Sequence, residues 1–146
     1  MIGSLMYLMN TRPDIFFGVN TLSEFLIDLR HVHLITAKNI LRYLRGTIDY
    51  GIKYEVIQKI NLEGYVDSDW EGSAIDRKST SGSCFNMGSG VISWYRRRQS
   101  CVALSTAEAK YVAYCLASRE EVWIRKLLAD LFDLLLLVYI ATTRVV

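Results

Sequence analysis

The chain has 146 residues, of which 51% are hydrophobic, 22% are charged and one is proline. This composition excludes an intrinsically disordered, collagen-like or low-complexity protein, and the length suits about one domain. With 17 basic and 15 acidic side chains the formal net charge is +2. The overall charge is therefore too small to predict binding to nucleic acid or to a membrane. Three cysteines without a Cys-x-x-Cys pair indicate neither a disulfide framework nor a zinc site, and favour a reducing compartment.

Neither apolar end of the chain predicts insertion into a membrane. The run over 1–9 has no basic segment before it and is closed by Arg12, Pro13 and Asp14, which is not the pattern of a signal peptide. The run over 134–141 has eight residues, far fewer than the ~20 that a membrane-spanning helix needs. We therefore expect neither a signal peptide nor a transmembrane segment.

The first third of the chain predicts amphipathic helices. Pro13 is tolerated in the first turn of a helix, so the segment 11–14 is typical of a helix start. Two apolar stripes at helical spacing follow, and Gly46 is a plausible stop for the second. The stripes consist of Ile15, Val19, Leu22 and Leu26, and then of Ile35, Ile40, Leu41 and Leu44.

The middle of the chain changes to the two-residue period of half-buried strands. Gly88, Ser89 and Gly90 supply a short glycine-bearing hairpin connection. The pattern predicts, in order, a strand over 62–67, a polar loop over 68–81, hairpin strands over 83–87 and 91–95, a basic loop over 96–99 and a brief strand over 101–104.

A long helix and a buried strand complete the predicted elements. Ser105 and Glu108 match a capping box, with Ser105 as N-cap. The run over 134–140 is typical of a strand buried on both faces, as in parallel sheets. The order of elements predicts an α/β domain with a mixed sheet, preceded by a helical segment. The residues predicted to share the buried side of the long helix are Val112, Leu116, Trp123, Leu127 and Leu131.

Three carboxylates are candidates for a metal site. Asp67 and Asp69 lie at the end of the first predicted strand, and Glu108 lies in the first turn of the long helix. Such positions can converge in an α/β fold, and converging carboxylates suit Mg²⁺. Aspartate is also common in the turn that follows a strand, where its side chain hydrogen-bonds to the backbone. The capping box is by itself a sufficient reason for a glutamate at position 108. Spacing alone leaves both interpretations open.

Two basic clusters are candidates for contacts with nucleic acid. Arg77 and Lys78 form the first cluster, and Arg96, Arg97 and Arg98 form the second. Together with the nearby aromatic side chains they can bind phosphates and stack on bases. A solvated loop is the alternative interpretation. The aromatic residues in question are Trp70, Trp94 and Tyr95.

A series of motifs in fixed order resembles the Pol polyprotein of copia-type long-terminal-repeat retrotransposons, at the end of the reverse transcriptase region and the start of ribonuclease H. Any one motif is weak, but the ordered series is very specific. The motifs are IGSLMYL (2–8), TRPDI (11–15), LRYLRGT (41–47), GYVDSDW (64–70), DRKSTSG (76–82), LSTAEA (104–109) and WIRKLL (123–128).

The resemblance implies a ribonuclease H-like domain over 58–146, truncated at its carboxyl end, after a helical connection segment over 1–57. In that family four carboxylates hold two Mg²⁺ ions and hydrolyse the RNA strand of RNA–DNA hybrids. Asp67 and Glu108 then match catalytic, metal-binding carboxylates, and Asp69 matches a residue behind them. The implied partners are an RNA–DNA hybrid, bound through the two basic clusters, and the rest of the polyprotein. The implied location is cytoplasmic, in a virus-like particle for an intact element.

The sequence also departs from the family pattern. The third carboxylate of the family follows the strand after the long helix, where this chain has Ala141. The fourth lies on a later helix that these residues do not reach. We therefore expect the isolated chain to be inactive or nearly so. The alternatives are a non-catalytic hybrid-binding module and an inactive structural remnant.

Overall fold

The computed structural model describes residues 1–55, 61–70, 77–132 and 138–142, the last five as backbone alone. The chain divides into two compact units, Met1–Lys53 and Tyr54–Val146.

The first unit is helical, as the apolar stripes predict. Its elements are α1 (Ile2–Leu8), a 3₁₀ turn (Pro13–Ile15), α2 (Phe16–Glu24) and α3 (His31–Gly46). Helix α1 was not among the predicted helices. A small core unites the four elements, because Leu5, Ile15 and Val19 are buried and further apolar side chains pack against them. These are Leu8, Met9, Ile40 and Leu44.

A polar network ties the 3₁₀ turn to the end of α3. Arg12 is 7% exposed and donates to both carboxylate oxygens of Asp14. It also donates to the carbonyl oxygen and the hydroxyl of Thr47. The Tyr43 hydroxyl donates to Asp14 at 2.9 Å. Two polar residues of the TRPDI motif, Arg12 and Asp14, therefore bind two of the LRYLRGT motif, Tyr43 and Thr47.

The second unit is an α/β layer. It contains β1 (Leu62–Asp69), β2 (Thr80–Met87), β3 (Gly90–Arg98), α4 (Thr106–Phe132) and β4 (Val138–Thr142). The sheet order is β3-β2-β1-β4, with β1, β2 and β3 antiparallel and β4 parallel to β1. The predicted α/β class, the antiparallel meander and the long helix are confirmed.

The β2–β3 hairpin combines a tight turn with a bulge. Gly88 has a φ of 65°, a left-handed conformation that glycine adopts without a steric cost. Further along, Phe85 pairs with Ser93 but Asn86 pairs with Val91. Ile92 is therefore an extra residue in β3, as in a β-bulge.

Two predictions in this region are wrong. Arg96, Arg97 and Arg98 are the last residues of β3 and not a loop, because the ladder with β2 continues to the pair Thr80–Arg98. The segment 101–104 is not a strand. The strand that pairs with β2 on the side away from β1 is β3, so the segment 101–104 has no neighbouring strand in the meander. Leu104, which a buried strand would cover, is 87% exposed.

The remaining strand bounds differ from the prediction in detail. The segments 68–69 and 80–81, predicted as loop, belong to β1 and β2, and 71–76 lie outside the described residues. The predicted last strand is present as β4, although 134–137 also lie outside them. Ala141, expected just after that strand, is inside it and pairs with Tyr65.

Helix α4 packs on one sheet face through small residues. The core unites Leu62, Val66 and Phe85 of the sheet with α4 side chains, namely Ala113, Ala117, Ile124 and Leu128. The predicted buried side of α4 is wrong, since Trp123 and Leu131 are 57% and 63% exposed. Ala113 and Ala117 let the helix axis approach the sheet closely, and the large buried side chains of α4 come later along the helix, at Ile124 and Leu128.

Among the described helices, none has the length and apolar character needed to cross a membrane.

Candidate functional site

Asp67 lies near the carboxyl end of β1, on the sheet face away from α4. Burial alternates along this strand, with Leu62 and Val66 packed toward α4 and Asp67 exposed. The Asp67 Oδ1 atom accepts a hydrogen bond from the backbone N–H of Ser68 at 2.8 Å. Asp69 is also exposed and shares the face of Asp67.

Glu108 lies in the first turn of α4, where the structure confirms the predicted N-cap. The backbone N–H of Glu108 donates to the Ser105 hydroxyl at 3.1 Å. In return the Glu108 Oε2 atom accepts the N–H of Leu104 at 2.6 Å, one residue before the cap. This exposed carboxylate therefore has a structural task at the helix start, whatever else it binds.

Two contacts bring the end of β1 and the start of α4 to the same end of the unit. The Trp70 indole N–H donates to the carbonyl oxygen of Ala103 at 3.1 Å. The side-chain amide of Gln99 donates to the Ser81 hydroxyl at 2.8 Å and to the carbonyl oxygen of Ala109 at 2.9 Å. Strand ends and helix start are thereby fixed to one another.

The strand splits the arginine cluster between the two faces of the sheet. Paired residues share a face, and the ladder joins Asp67 to Gly82 and Gly82 to Arg96. Asp69 is joined to Thr80 and Thr80 to Arg98 in the same way. Arg96 and Arg98 therefore share the face of the two aspartates.

Arg97 points to the opposite face, toward α4. Its guanidinium lies over the Tyr95 ring, 5.7 Å from the centroid. Both side chains line a cavity between β3 and α4. Arg97 is therefore not part of the surface around Asp67.

The other basic cluster precedes β2. Arg77 has a φ of 54°, a conformation uncommon for residues other than glycine. Lys78 follows it, and β2 begins at Thr80. Since β2 pairs with β1 from Thr80 to Asp69, this cluster leads into the end of the sheet that carries the two aspartates.

The donors suit a hard cation, but the described ligands are few. Asp67 and Glu108 both present exposed carboxylates, and carboxylate oxygens are the ligands that Mg²⁺ prefers. Within 1–55, 61–70 and 77–132 no three side chains of His, Cys, Asp or Glu form a group able to hold a metal ion. These residues alone therefore supply at most part of a coordination shell.

Sequence reasoning missed Gln99, which is 2% exposed and joins β2 to α4. A polar residue in a basic segment gives no local signal of burial. It also missed Arg119 and Glu120 as cavity residues, because only the fold brings them opposite Tyr95.

Several known proteins are similar to this chain. The "Retrovirus-related Pol polyprotein from transposon TNT 1-94" of Nicotiana tabacum is 43% identical over 131 residues, 89% of this chain and 10% of that protein. The "Retrovirus-related Pol polyprotein from transposon RE1" of Arabidopsis thaliana is 41% identical over 90% of this chain and 9% of that protein. The chain thus spans about a tenth of the length of these two relatives.

A shorter relative is matched over most of its length. The "Secreted RxLR effector protein 161" of Plasmopara viticola is 41% identical over 124 residues, 84% of this chain and 87% of that protein. No family model and no solved structure matches the chain.

Proposed function

Because the chain belongs to the retrovirus-related Pol polyproteins of copia-type transposons, we propose that its second unit is the ribonuclease H-like part of such a polyprotein. Asp67 and Glu108 are two of the carboxylates that bind Mg²⁺ in this proposal. The observation that carries it is that the end of β1, which bears Asp67, and the first turn of α4, which bears Glu108, lie at the same end of the unit.

The chemistry follows from the donors. Bound Mg²⁺ would activate a water molecule and stabilise the leaving oxygen in phosphodiester hydrolysis. Asp67 and Glu108 hold the cation through carboxylate oxygens, and Asp69 lies beside Asp67 on the same face. The hydrogen bond that the Glu108 carboxylate accepts from the N–H of Leu104 orients it before any ligand binds, which lowers the entropic cost of forming the site.

Arg96 and Arg98 are the proposed contacts to the hybrid backbone. They share the Asp67 face, and Gly82 lies between Asp67 and Arg96 without a side chain. A phosphate held by Arg96 therefore has an open path toward the acidic end of β1. Arg77 and Lys78, at the entrance to β2, extend the same basic surface.

We further propose that these 146 residues by themselves bind a hybrid without cleaving it. The sequence contains no Asp or Glu after Asp133, so neither β4 nor the residues after it provide a carboxylate. Fewer ligands lower the affinity for Mg²⁺, and they weaken the electrostatic stabilisation of the transition state, which is usually the largest catalytic contribution. Full activity would need carboxylates from other parts of the polyprotein, in the cytoplasmic particle of an intact element.

The test is a titration of the purified chain with Mg²⁺ and a labelled RNA–DNA hybrid, following binding and cleavage together. We expect salt-dependent binding and no cleavage. Cleavage that is abolished by Asp67→Asn would contradict the proposed inactivity and support the assignment of the site. Absence of both binding and cleavage in folded protein would overturn the nucleic-acid function and leave the structural remnant.

The effector relative does not lead to a second proposal. The pattern R-x-L-R in its name also describes Arg42-Tyr43-Leu44-Arg45 of this chain. Here those residues are inside α3, with Leu44 packed against the core of the first unit and the Tyr43 hydroxyl bonded to Asp14. Contacts within the helical unit are therefore a sufficient reason for the presence of Tyr43 and Leu44, two of the four residues of this pattern.

A further inference from the structure

A cavity between β3 and α4 lies apart from the carboxylate site. It has a volume of about 380 Å³, and neither Asp67 nor Glu108 lines it. Its walls come from two residues of β3 and four of α4, all within the second unit. They are Tyr95, Arg97, Leu116, Arg119, Glu120 and Trp123.

The cavity carries two cations from different elements. Arg97 is held over the Tyr95 ring, an arrangement that orders the guanidinium. Arg119 faces it from α4 and makes no hydrogen bond or ion pair to the part of the chain that the structure describes. Two guanidinium groups that line the same cavity can bind a phosphate, because each offers paired N–H donors to the phosphate oxygens.

Tyr95 contributes its ring, and not its hydroxyl, to the cavity. The Tyr95 hydroxyl is buried and lies beside the hydroxyl of Ser83, the residue that pairs with Tyr95 in the β2–β3 ladder. Burial raises the pKa of this phenol, so Tyr95 adds no negative charge next to the two guanidinium groups.

The rest of the lining is aromatic, apolar and acidic. Trp123 is 57% exposed and lines the cavity together with Leu116, so its indole is accessible for stacking. Glu120 is oriented by the Ser93 hydroxyl, which donates to its Oε1 atom at 2.9 Å. Its carboxylate can accept a hydrogen bond from a sugar hydroxyl.

We propose that this cavity binds a ribonucleoside 5′-phosphate, either free or at the end of an RNA strand. Arg97 and Arg119 bind the phosphate, and the base stacks on Trp123. Glu120 accepts from the ribose. The proposal is independent of ribonuclease H function, because it uses none of the proposed metal ligands.

The test is calorimetric titration of the full chain with adenosine 5′-monophosphate, adenosine and inorganic phosphate. We expect the nucleotide to bind at least about tenfold more tightly than either part, since phosphate and base contact different walls. Equal affinity for adenosine would overturn the role of the arginines. Equal affinity for phosphate would overturn stacking on Trp123, and no heat with the nucleotide at millimolar concentration would overturn the whole proposal.

Variants locate the site. Arg119→Gln and Trp123→Ala should each weaken nucleotide binding about tenfold, by loss of a charge-assisted hydrogen bond and of stacking. The matched control is Arg125→Gln on the same helix, because Arg125 pairs with Glu121 outside the cavity. Wild-type affinity in both cavity variants, with thermal unfolding unchanged, would refute the assignment.

A final comparison identifies the source of the nucleotide. Competition of adenosine 5′-monophosphate with a 5′-phosphorylated tetraribonucleotide assigns the cavity to strand ends if the oligonucleotide displaces the mononucleotide. If it does not, the cavity takes free nucleotide. Both results support the phosphate and base chemistry, whereas displacement by an unphosphorylated oligonucleotide just as well would contradict it.

Discussion

Arg12 holds Asp14 through two parallel hydrogen bonds, from Nε to Oδ1 at 2.9 Å and from Nη2 to Oδ2 at 2.7 Å. The same guanidinium donates from Nη1 to the carbonyl oxygen of Thr47 at 2.9 Å. The 3₁₀ turn and the end of α3 are therefore joined through one buried side chain. Loss of Asp14 would leave that guanidinium without its anionic partner, a costly state for a buried charge.

We expect Asp14→Ala to lower the melting temperature of the helical unit in the full chain by about 5–10 °C. Asp28→Ala is the matched control, because the Asp28–Arg30 pair has a similar distance of 3.0 Å but is exposed to 72% and 75%. An exposed pair contributes little to stability, so the control should shift the melting temperature by less than about 2 °C. Thermal unfolding followed by circular dichroism measures both. Equal shifts in the two variants would contradict the structural role of Arg12.

The same pair predicts a dependence of stability on pH. Hydrogen bonds from Arg12 lower the pKa of Asp14 below its ordinary value of 3.8. The carboxylate therefore stabilises the fold above that ordinary value and loses its effect as the pH falls through the lowered pKa. The gap in melting temperature between wild type and Asp14→Ala should be constant well above pH 3.8 and shrink as the pH falls below 3.8. A gap that persists at pH 2 would show that packing, and not charge, is responsible.

Glu108 offers a way to separate capping from metal binding. Glutamine accepts the same N–H as glutamate in a capping box, so Glu108→Gln should keep the stability of the chain while weakening Mg²⁺ binding. Glu108→Ala should lose both, at a cost of about 1 kcal/mol in unfolding free energy. Urea unfolding and calorimetric Mg²⁺ titration measure the two effects. Wild-type Mg²⁺ affinity in Glu108→Gln would remove Glu108 from the proposed metal ligands.

The alanine stripe of α4 predicts that larger side chains there destabilise the fold. Ala113 is 1% exposed, so Ala113→Leu should overpack the interface with the sheet and cost about 1–3 kcal/mol. Leu131→Ala removes a large side chain from an exposed position and should change the stability by less than about 0.5 kcal/mol. Urea unfolding compares the two. A greater loss in Leu131→Ala would mean that the apolar side of α4 is covered by another part of the protein.

The split of the arginine cluster predicts unequal roles in hybrid binding. Arg96→Gln and Arg98→Gln should each reduce the slope of log affinity against log salt by about one, because each removes one phosphate contact. With a hybrid that carries no 5′-phosphate, Arg97→Gln should leave that slope unchanged, since Arg97 faces α4 and not the surface around Asp67. Fluorescence anisotropy with a labelled hybrid between 50 and 200 mM salt, a range suited to this slope, provides the measurement. Equal slopes in all three variants would place the hybrid elsewhere.

Local signals predicted much of this fold. The helical stripes around Val19 and Ile40, the alternation before Asp67 and the capping box at Ser105 depend on residues close in sequence, and the structure has an element at each. The buried side of α4 depends on the distance to the sheet, which a stripe of large apolar residues does not report. The helix instead buries Ala113 and Ala117, because they permit the closest contact.

In the candidate site, too, local patterns predicted the residues, whereas contacts between residues distant in sequence decide how the elements that carry them are arranged. Asp67 and Glu108 were predicted from a strand end and a cap, each a local pattern. That the end of β1 lies near the start of α4 depends on contacts such as Trp70 to Ala103, over 33 residues of sequence. No local pattern could indicate these contacts, and none could reveal the cavity that Tyr95 shares with Arg119.

The bulge at Ile92 decides which residues of β3 face α4 and which face the opposite side of the sheet; we call this alternation the phase of the strand. If β3 had no bulge, the pairing that starts at the hairpin turn would continue without interruption and Phe85 would pair with Ile92. Trp94 and Arg96 would then face α4. With the extra residue, Tyr95 and Arg97 face the helix, and Arg96 lies across Gly82 from Asp67. A strand that slips by one residue exchanges its two faces, so a single unpaired position decides which arginine meets the cavity and which meets the acidic end of β1. An insertion or deletion between the turn and Ser93 is absorbed only if it restores this phase.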